Sequence, residues 1–161
     1  MKRAFISIIL AALTIGATAQ NTISIEKNDS ATTISSHKII ASFPGGQKAL
    51  TKFLDKNLQY PDAAGDYGVE GSVVMKFFVE KDGTLSEISA NDCKIERFNT
   101  TKFSQETESK QKELKKQFAL LFAKEGARVI RKMPKWIPAK MKGEAIPVKM
   151  ELRLYFVDTS K

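Results

Sequence analysis

Ten residues near the carboxy terminus, VKMELRLYFV (148–157), alternate between apolar and polar or amphipathic side chains with almost no interruption. A period of two held over that length is the signature of a strand with one buried face. Val148, Met150, Leu152, Leu154 and Phe156 point one way, and Lys149, Glu151, Arg153, Tyr155 and Val157 the other. A second such run lies upstream, where Val73, Met75, Phe77 and Val79 alternate with Ser72, Val74, Lys76, Phe78 and Glu80. Asp82-Gly83 follows it directly. Both residues tolerate positive φ, so the pair predicts a hairpin, and Leu85 to Ala90 returns as a weaker partner strand.

Helical periods separate these strands. Ala49, Leu50, Phe53, Leu54 and Leu58 recur at three- and four-residue steps and share one helix face, while Lys48, Lys52, Asp55 and Lys56 take the other. Phe43-Pro44-Gly45-Gly46 forms the turn before this helix. Tyr60-Pro61 ends it, because the residue before a proline is pushed out of the helical region. Pro61 then opens a very short second helix at its first position, Gly65 or Gly68 stops it, and Gly71 marks entry to the strand. Asn91 to Thr107 is polar and shows no period. A long helix is predicted from about Ser109 to Lys132 with Leu114, Phe118, Leu121, Phe122, Val129 and Ile130 as its apolar members. Its charged first turns, KQKELKK, form a solvated face. Pro134 ends this helix, Trp136 and Pro138 sit in an extended turn, and Gly143 permits another reversal. A hairpin plus a third strand reached through a helix predicts an α+β fold: a small three-stranded antiparallel sheet packed on one face by two helices.

The first nineteen residues do not belong to that domain. Lys2 and Arg3 precede an apolar run from Phe5 to Ala17, and Ala17-Thr18-Ala19 has the small-x-small form that a signal peptidase cuts. Residues 1–19 are therefore expected to be a cleaved secretory signal peptide, with Gln20 the first mature residue and the mature chain exported; the periplasm as its destination is what the resemblance described below implies. The alternative is an uncleaved inner-membrane anchor facing the periplasm, although the run is short for roughly 30 Å of hydrocarbon. Residues 20–42, rich in Ser, Thr, Asn and Ile, read as a flexible lead segment, with Ile39 to Phe43 able to add a short strand. Residues 43–158 form the domain, with a charged insertion at about 91–118.

The formal charge of +8 falls by two when Lys2 and Arg3 leave. The remaining positive charge is scattered among acids, and export removes nucleic acid as a partner. Weak attraction to an anionic envelope surface or to acidic segments stays open. Cys93 is the only cysteine, so no internal disulfide forms and the hydrophobic core must hold the fold.

No catalytic constellation is present. His37 and Cys93 stand far apart, and no nucleophile elbow, zinc-protease helix or phosphate loop occurs. Asp62, Asp66 and Glu70 are near one another but lie around a turn, where acids commonly cap backbone. No His, Cys or Asp run has metal-ligand spacing. The sequence thus predicts no enzyme, no cofactor and no metal. It does predict a sheet with edges, and an edge strand offers unpaired N–H and C=O groups to which a partner peptide can add itself.

The motifs also carry a resemblance. Tyr60, Pro61, Ala64, Glu70, Gly71, Val73, Met75, Phe77, Val79, Asp82 and Gly83 resemble in order the start of the TonB carboxy-terminal domain family. Phe43-Pro44-Gly45-Gly46, and Met133-Pro134-Lys135-Trp136 with Pro138, Lys140 and Gly143, are similar to the Bacteroidetes-type version of that family. The likeness spans roughly residues 43 to 157. It implies two helices against a three-stranded antiparallel sheet. It also implies that the last strand captures the TonB box, a short extended segment of an outer-membrane TonB-dependent receptor, or a segment of another envelope protein. Carried over here, the capturing residues are Met150, Glu151, Leu152, Arg153, Leu154, Tyr155 and Val157, with Glu151, Arg153 and Tyr155 facing the guest. Tyr60-Pro61 and Glu70-Gly71 would frame the turn that feeds the first sheet strand. Two departures stand out. The chain lacks the family's Pro-rich periplasm-crossing stretch, and its 91–118 region is expanded. An anchored energy transducer and a self-associating homodimer that pairs its own edge strand are the other readings.

Overall fold

The computed structural model describes residues 10–12 and 39–157. The elements run β1 (Leu10–Ala12), α1 (Gly46–Asn57), α2 (Asp62–Gly65), β2 (Val69–Val79), β3 (Leu85–Phe98), α3 (Glu108–Arg131), β4 (Ala139–Met141), β5 (Glu144–Ile146) and β6 (Val148–Phe156). The main sheet has the order β1-β6-β2-β3 and every pairing in it is antiparallel. The three expected strands, β6-β2-β3, are its body, with α1 and α3 packed on one face. Leu10–Ala12, which the sequence places in the signal peptide, adds a short fourth strand to the outer edge of β6. The cleavage motif at residues 17–19 and His37 lie outside the described residues.

The alternation that predicts β2 and β6 becomes burial. Val73, Met75, Phe77 and Val79 of β2 and Met150, Leu152, Leu154 and Phe156 of β6 are all fully buried. Across from them α1 contributes Leu50 and Leu54, and α3 contributes Phe118, Phe122, Val129 and Ile130. Phe122 stacks on Phe156 with ring centroids 4.2 Å apart. Gly126 lets α3 come close to the sheet; a Cβ there would lie 2.8 Å from Met75 Sδ. Each fully buried side chain of this size contributes about 1.5–3 kcal/mol of transfer free energy. The helices are also joined by polar contacts. Arg128 Nη2 donates to the Asn57 carbonyl at the end of α1 and to Glu125 Oε1, which also accepts from the Gln59 N–H. An arginine thus satisfies a carbonyl that the helix leaves unpaired.

Four expectations are corrected. The strand β3 does not stop at Ala90; it continues to Phe98, so the first part of the supposed irregular insertion is sheet. The cause is a series of three register shifts against β2, between Glu70/Gly71, Val74/Met75 and Lys76/Phe78. Each places extra residues in β3, and Glu87, at φ 48, sits at one of them. Bulges of this kind break the period of two, so the residues of β3 packed against the core, Leu85, Ile88, Cys93, Ile95 and Phe98, are unevenly spaced along the chain. Second, Glu70 and Gly71 lie inside β2 rather than in a turn before it. Gly71 is where the ladder is tightest, since a Cβ there would meet the Lys94 carbonyl oxygen at 2.3 Å. Third, Pro61 precedes α2 in extended conformation instead of occupying its first position. Fourth, residues 39–42, assigned to the lead segment although the sequence allows a short strand there, are fixed to the body: Ile39 and Ser42 bridge to Lys140 and Ile137, and Ala41 between them is buried. The domain's framework therefore reaches back to Ile39. The 99–107 segment is closed onto the body by Phe98 stacked on Phe103 at 3.5 Å and by Tyr67 donating to Glu106.

The hairpin Asp82-Gly83 is fastened to the chain after α3. Trp136 N–H donates to the Gly83 carbonyl at 2.8 Å, and the Trp136 ring meets Phe43 and Phe77 edge-on. Gly83 has φ 83, and a Cβ there would stand 2.1 Å from the Trp136 carbonyl oxygen. Gly143, at the tip of the β4–β5 ribbon, has φ 88, but a Cβ there would meet nothing within 4 Å. Gly83→Ala should therefore cost about 2–3 kcal/mol of stability, whereas Gly143→Ala should cost only about 1 kcal/mol. Urea unfolding of the two variants beside the wild type measures the difference; equal losses would contradict it. Asp82 supplies a second test. Its carboxylate accepts from the Thr84 hydroxyl at 2.6 Å and the Thr84 N–H at 3.0 Å, and Lys135 Nζ lies 3.1 Å away. These donors, the threonine first, hold its pKa down at about 2, below the ordinary 3.8. A carboxylate with a depressed folded-state pKa stabilises above its unfolded value and loses that contribution as pH falls through the folded one. The stability gap between wild type and Asp82→Asn should be constant above about pH 4 and shrink toward pH 2, followed by thermal unfolding across that range.

Candidate functional site

The residues assigned to partner binding form one continuous element. Met150 to Tyr155 lie within β6, and Val157 follows its last residue, Phe156. On its inner side β6 pairs with β2 from Gly71↔Phe156 to Val79↔Val148 with no break in register. Its outer side carries only β1 among the described residues, with Leu10 opposite Leu152, Ala11 opposite Glu151 and Ala12 opposite Met150. From Arg153 onward that side of β6 has no strand partner among the described residues.

The side chains divide sharply between the two faces. Met150, Leu152 and Leu154 are sealed into the core, so they offer a guest their backbone alone. Glu151, Arg153 and Tyr155 are partly exposed on the face that the helices leave open. Glu151 is not isolated there. Lys76 Nζ of β2, directly opposite in register, approaches its carboxylate to 3.1 Å, and both side chains are only about one-fifth exposed. Arg153 Nη1 reaches the Ser72 hydroxyl at 3.5 Å. Lys149 Nζ stands 6.0 Å from the centre of the Phe78 ring. Lys76 and Phe78 thus belong to this surface, with the buried Ser72 beneath Arg153, although the sequence does not single them out. Their position at every second residue of β2 was the available signal, since the residue opposite each strand position follows once the register is known.

The opposite edge of the sheet has a different character. β3 is bulged three times and carries Glu87, Asp92, Lys94 and Glu96 among its outward or half-exposed residues. Bulges and charges are the usual means by which an edge strand is kept from pairing further. β6 also carries charges, Lys149, Glu151 and Arg153, but it has no bulge along its length of pairing with β2. The sheet therefore has one guarded edge and one straight edge.

The structural motif residues act at a distance from this edge. Tyr60 donates its hydroxyl to the Val69 carbonyl and closes the loop that contains Pro61 and α2. Glu70 is buried and accepts from Arg97 Nε and, at 2.7 Å, from Asn99 Nδ2, which pins the far end of β3 to β2. Asp62 and Asp66 remain exposed and apart from it. Asp82 and Gly83 make the hairpin, while Pro134, Trp136 and Pro138 carry the chain from α3 across the hairpin tip to the β4–β5 ribbon. Cys93 donates to the Ala119 carbonyl at 3.4 Å, and burial pushes its thiol up to about 11. At neutral pH such a sulfur is a packed thiol and not a nucleophile.

Among the described residues no group of three or more His, Cys, Asp or Glu is arranged to hold a metal ion, and no helix is long and apolar enough to cross a membrane. What the arrangement can do chemically is donate and accept backbone hydrogen bonds along one side of β6, beside a surface that presents Lys76, Glu151, Arg153 and Tyr155. Comparison of the chain with protein-family models, with curated proteins and with solved structures finds no match.

Proposed function

We propose that the chain is an exported, TonB-like protein-binding module of the periplasm that captures an extended segment of an outer-membrane transporter, or of another envelope partner, by strand addition to β6. The observation that carries this reading is the asymmetry of the two sheet edges. β3 is bulged three times, whereas β6 is regular and already bears a three-residue antiparallel segment, Leu10–Ala12, on its outer side. That segment belongs to the part of the chain that a signal peptidase is expected to remove. Its loss leaves the middle of β6 open to a guest of the same extended shape. The motif resemblance supports the same strand as the acceptor.

The energetics favour a transient contact. Four to six net hydrogen bonds at ~1 kcal/mol each, less the several kcal/mol lost on association, give weak to micromolar affinity. Fixed backbone donors and acceptors supply the attraction. The charges of Lys76, Glu151 and Arg153 discriminate among guests through the residues that share their face.

Titration of a TonB-box-like peptide into isotope-labelled protein tests this. In a chain that begins at Gln20, backbone NMR signals of residues 148–157 should shift on addition of peptide. In the full chain the same shifts should need more peptide, because Leu10–Ala12 competes for the edge. Signals that stay still in both chains would overturn the proposal. A tight dimer by sedimentation that ignores the peptide would assign the edge to self-association instead.

A further inference from the structure

Two residues of β3, Glu87 and Ile88, stand opposite the single Phe77 of β2, because Ser86 pairs with Phe78 and Ser89 with Lys76. Glu87 takes a left-handed φ of 48 to make room. A bulge of this form re-aims the side chains beside it. Here Leu85 and Ile88, three positions apart, both pack against the core. Between them, the last turn of α3 and the chain that leaves it lies a cavity of about 190 Å³. Leu85, Ile88, Ile130 and Met133 give it an apolar floor. Arg131, Pro134 and Lys135 complete the lining and are exposed, so the cavity opens to solvent on their side.

Both charged residues that line this cavity are cations. Arg131 has no ion pair and no side-chain hydrogen bond among the described residues. Lys135 meets Asp82 at 3.1 Å, but both side chains are more than half exposed, so water weakens the pair. The Asp82 carboxylate is also taken up by the hydroxyl and N–H of Thr84. Two further charges lie next to the lining, Glu87 on the bulge and Lys132 after Arg131; both are exposed and they offset each other. The negative end of the α3 dipole opposes an anion here. Its carbonyls at Val129 and Ile130 are occupied, however, by the N–H groups of Lys132 and Met133. The mouth of an apolar cavity thus holds an arginine with nothing to bind and a lysine that is only loosely engaged.

We propose that this cavity binds the carboxy-terminal end of a partner chain whose last residue is aliphatic. The side chain fills the apolar floor, and the terminal carboxylate meets Arg131 and Lys135 at the mouth. Size favours a single side chain: an enclosed apolar cavity of roughly 150 Å³ holds one benzene ring, so this space suits a leucine and is short for a long alkyl chain. Charge favours an anion joined directly to that apolar group, and arginine is suited to a carboxylate by its fork of donors. The bulge favours a chain end over an internal segment, because it interrupts the ladder that a passing strand would extend. The inference does not depend on what β6 binds.

Titration of the isotope-labelled full chain with acetyl-alanyl-leucine, followed by backbone NMR, tests this. Signals of residues 84–88 and 130–135 should shift at millimolar peptide while those of residues 148–157 stay still, which separates this site from the β6 edge. The same peptide with its carboxylate amidated should bind about tenfold more weakly, and acetyl-alanyl-glycine, which leaves the floor empty, should bind about tenfold more weakly as well. Arg131→Gln should lose about tenfold, whereas Lys132→Gln, an equal change of net charge at a residue outside the lining, should lose far less. Both substituted side chains are exposed, and circular dichroism checks that each variant is folded. Equal binding of the amidated or glycine-ended peptide would overturn the proposal, and so would an Arg131→Gln chain that binds like wild type or no better loss than in Lys132→Gln. If free 4-methylpentanoate bound as tightly as the peptide, the occupant would be a small acid and the assignment to a chain end would fall.

Discussion

Everything in this domain depends on giving β2 two neighbours. Its inner face, from Val69 through Val73, Met75 and Phe77 to Val79, is entirely buried, and as the middle strand it can lose no backbone hydrogen bond without cost. On one side β6 meets it in unbroken register over nine residue pairs. On the other, β3 meets it only by bulging three times. The helices then follow from the buried face that β2 and β6 share. α3 crosses near Gly126, where the absence of a side chain lets it approach Met75 and Leu154, and α1 fills the remaining ground with Leu50 and Leu54. The polar fastenings at the periphery hold this arrangement closed. Glu70 with Arg97 and Asn99 grips one end of the hairpin, and Gly83 with Trp136 grips the other.

The parts that were legible in the sequence are those in which one physical cause dominates. The strands β2 and β6 announce themselves because burial of a single face enforces alternation. α1 and α3 do so because their apolar stripes are unbroken. Asp82-Gly83 was legible because two residues tolerant of positive φ leave the chain few other conformations. The second half of β3 was not legible, because bulges moved its core-facing residues off the period of two. Glu70-Gly71 was misplaced for a related reason. Glycine ordinarily marks a turn, but Gly71 is required here by the close pass of the Lys94 carbonyl inside a strand. A short extended segment at Ile39 to Phe43 was foreseen, but its partner at 137–140 was not, since the bridges join residues about a hundred positions apart.

The candidate site follows the same division. That the last strand would have a buried and an open face was readable from its alternation. That Lys76 would lie against Glu151 needed the register between β2 and β6, which a single sequence does not contain. The pairing has a consequence for selectivity. Glu151 is partly neutralised by its neighbour, whereas among the described residues Arg153 has only a long contact with an uncharged hydroxyl. On the proposed mode of binding, the residue of a guest that shares a face with Arg153 is under more electrostatic constraint than the residue that shares a face with Glu151.

The difference between the two sheet edges has a physical origin that precedes any partner. A strand that must serve both as the wall of a core and as an acceptor for another chain cannot be bulged, because each bulge turns its side chains to the wrong face and removes backbone groups from the ladder. β3 is free to bulge because its core-facing side is only half buried and its contribution to the core is modest. β6 is not free to do so, since Met150, Leu152, Leu154 and Phe156 must all reach the interior. The demands of the core therefore keep β6 straight, and a straight edge is the one that another extended segment can join. Leu10–Ala12 lies where such a segment would, antiparallel and centred on Glu151. On the proposed function, the straight edge that accepts a guest is a by-product of packing, and what remains for evolution to adjust is the pattern of charge beside it.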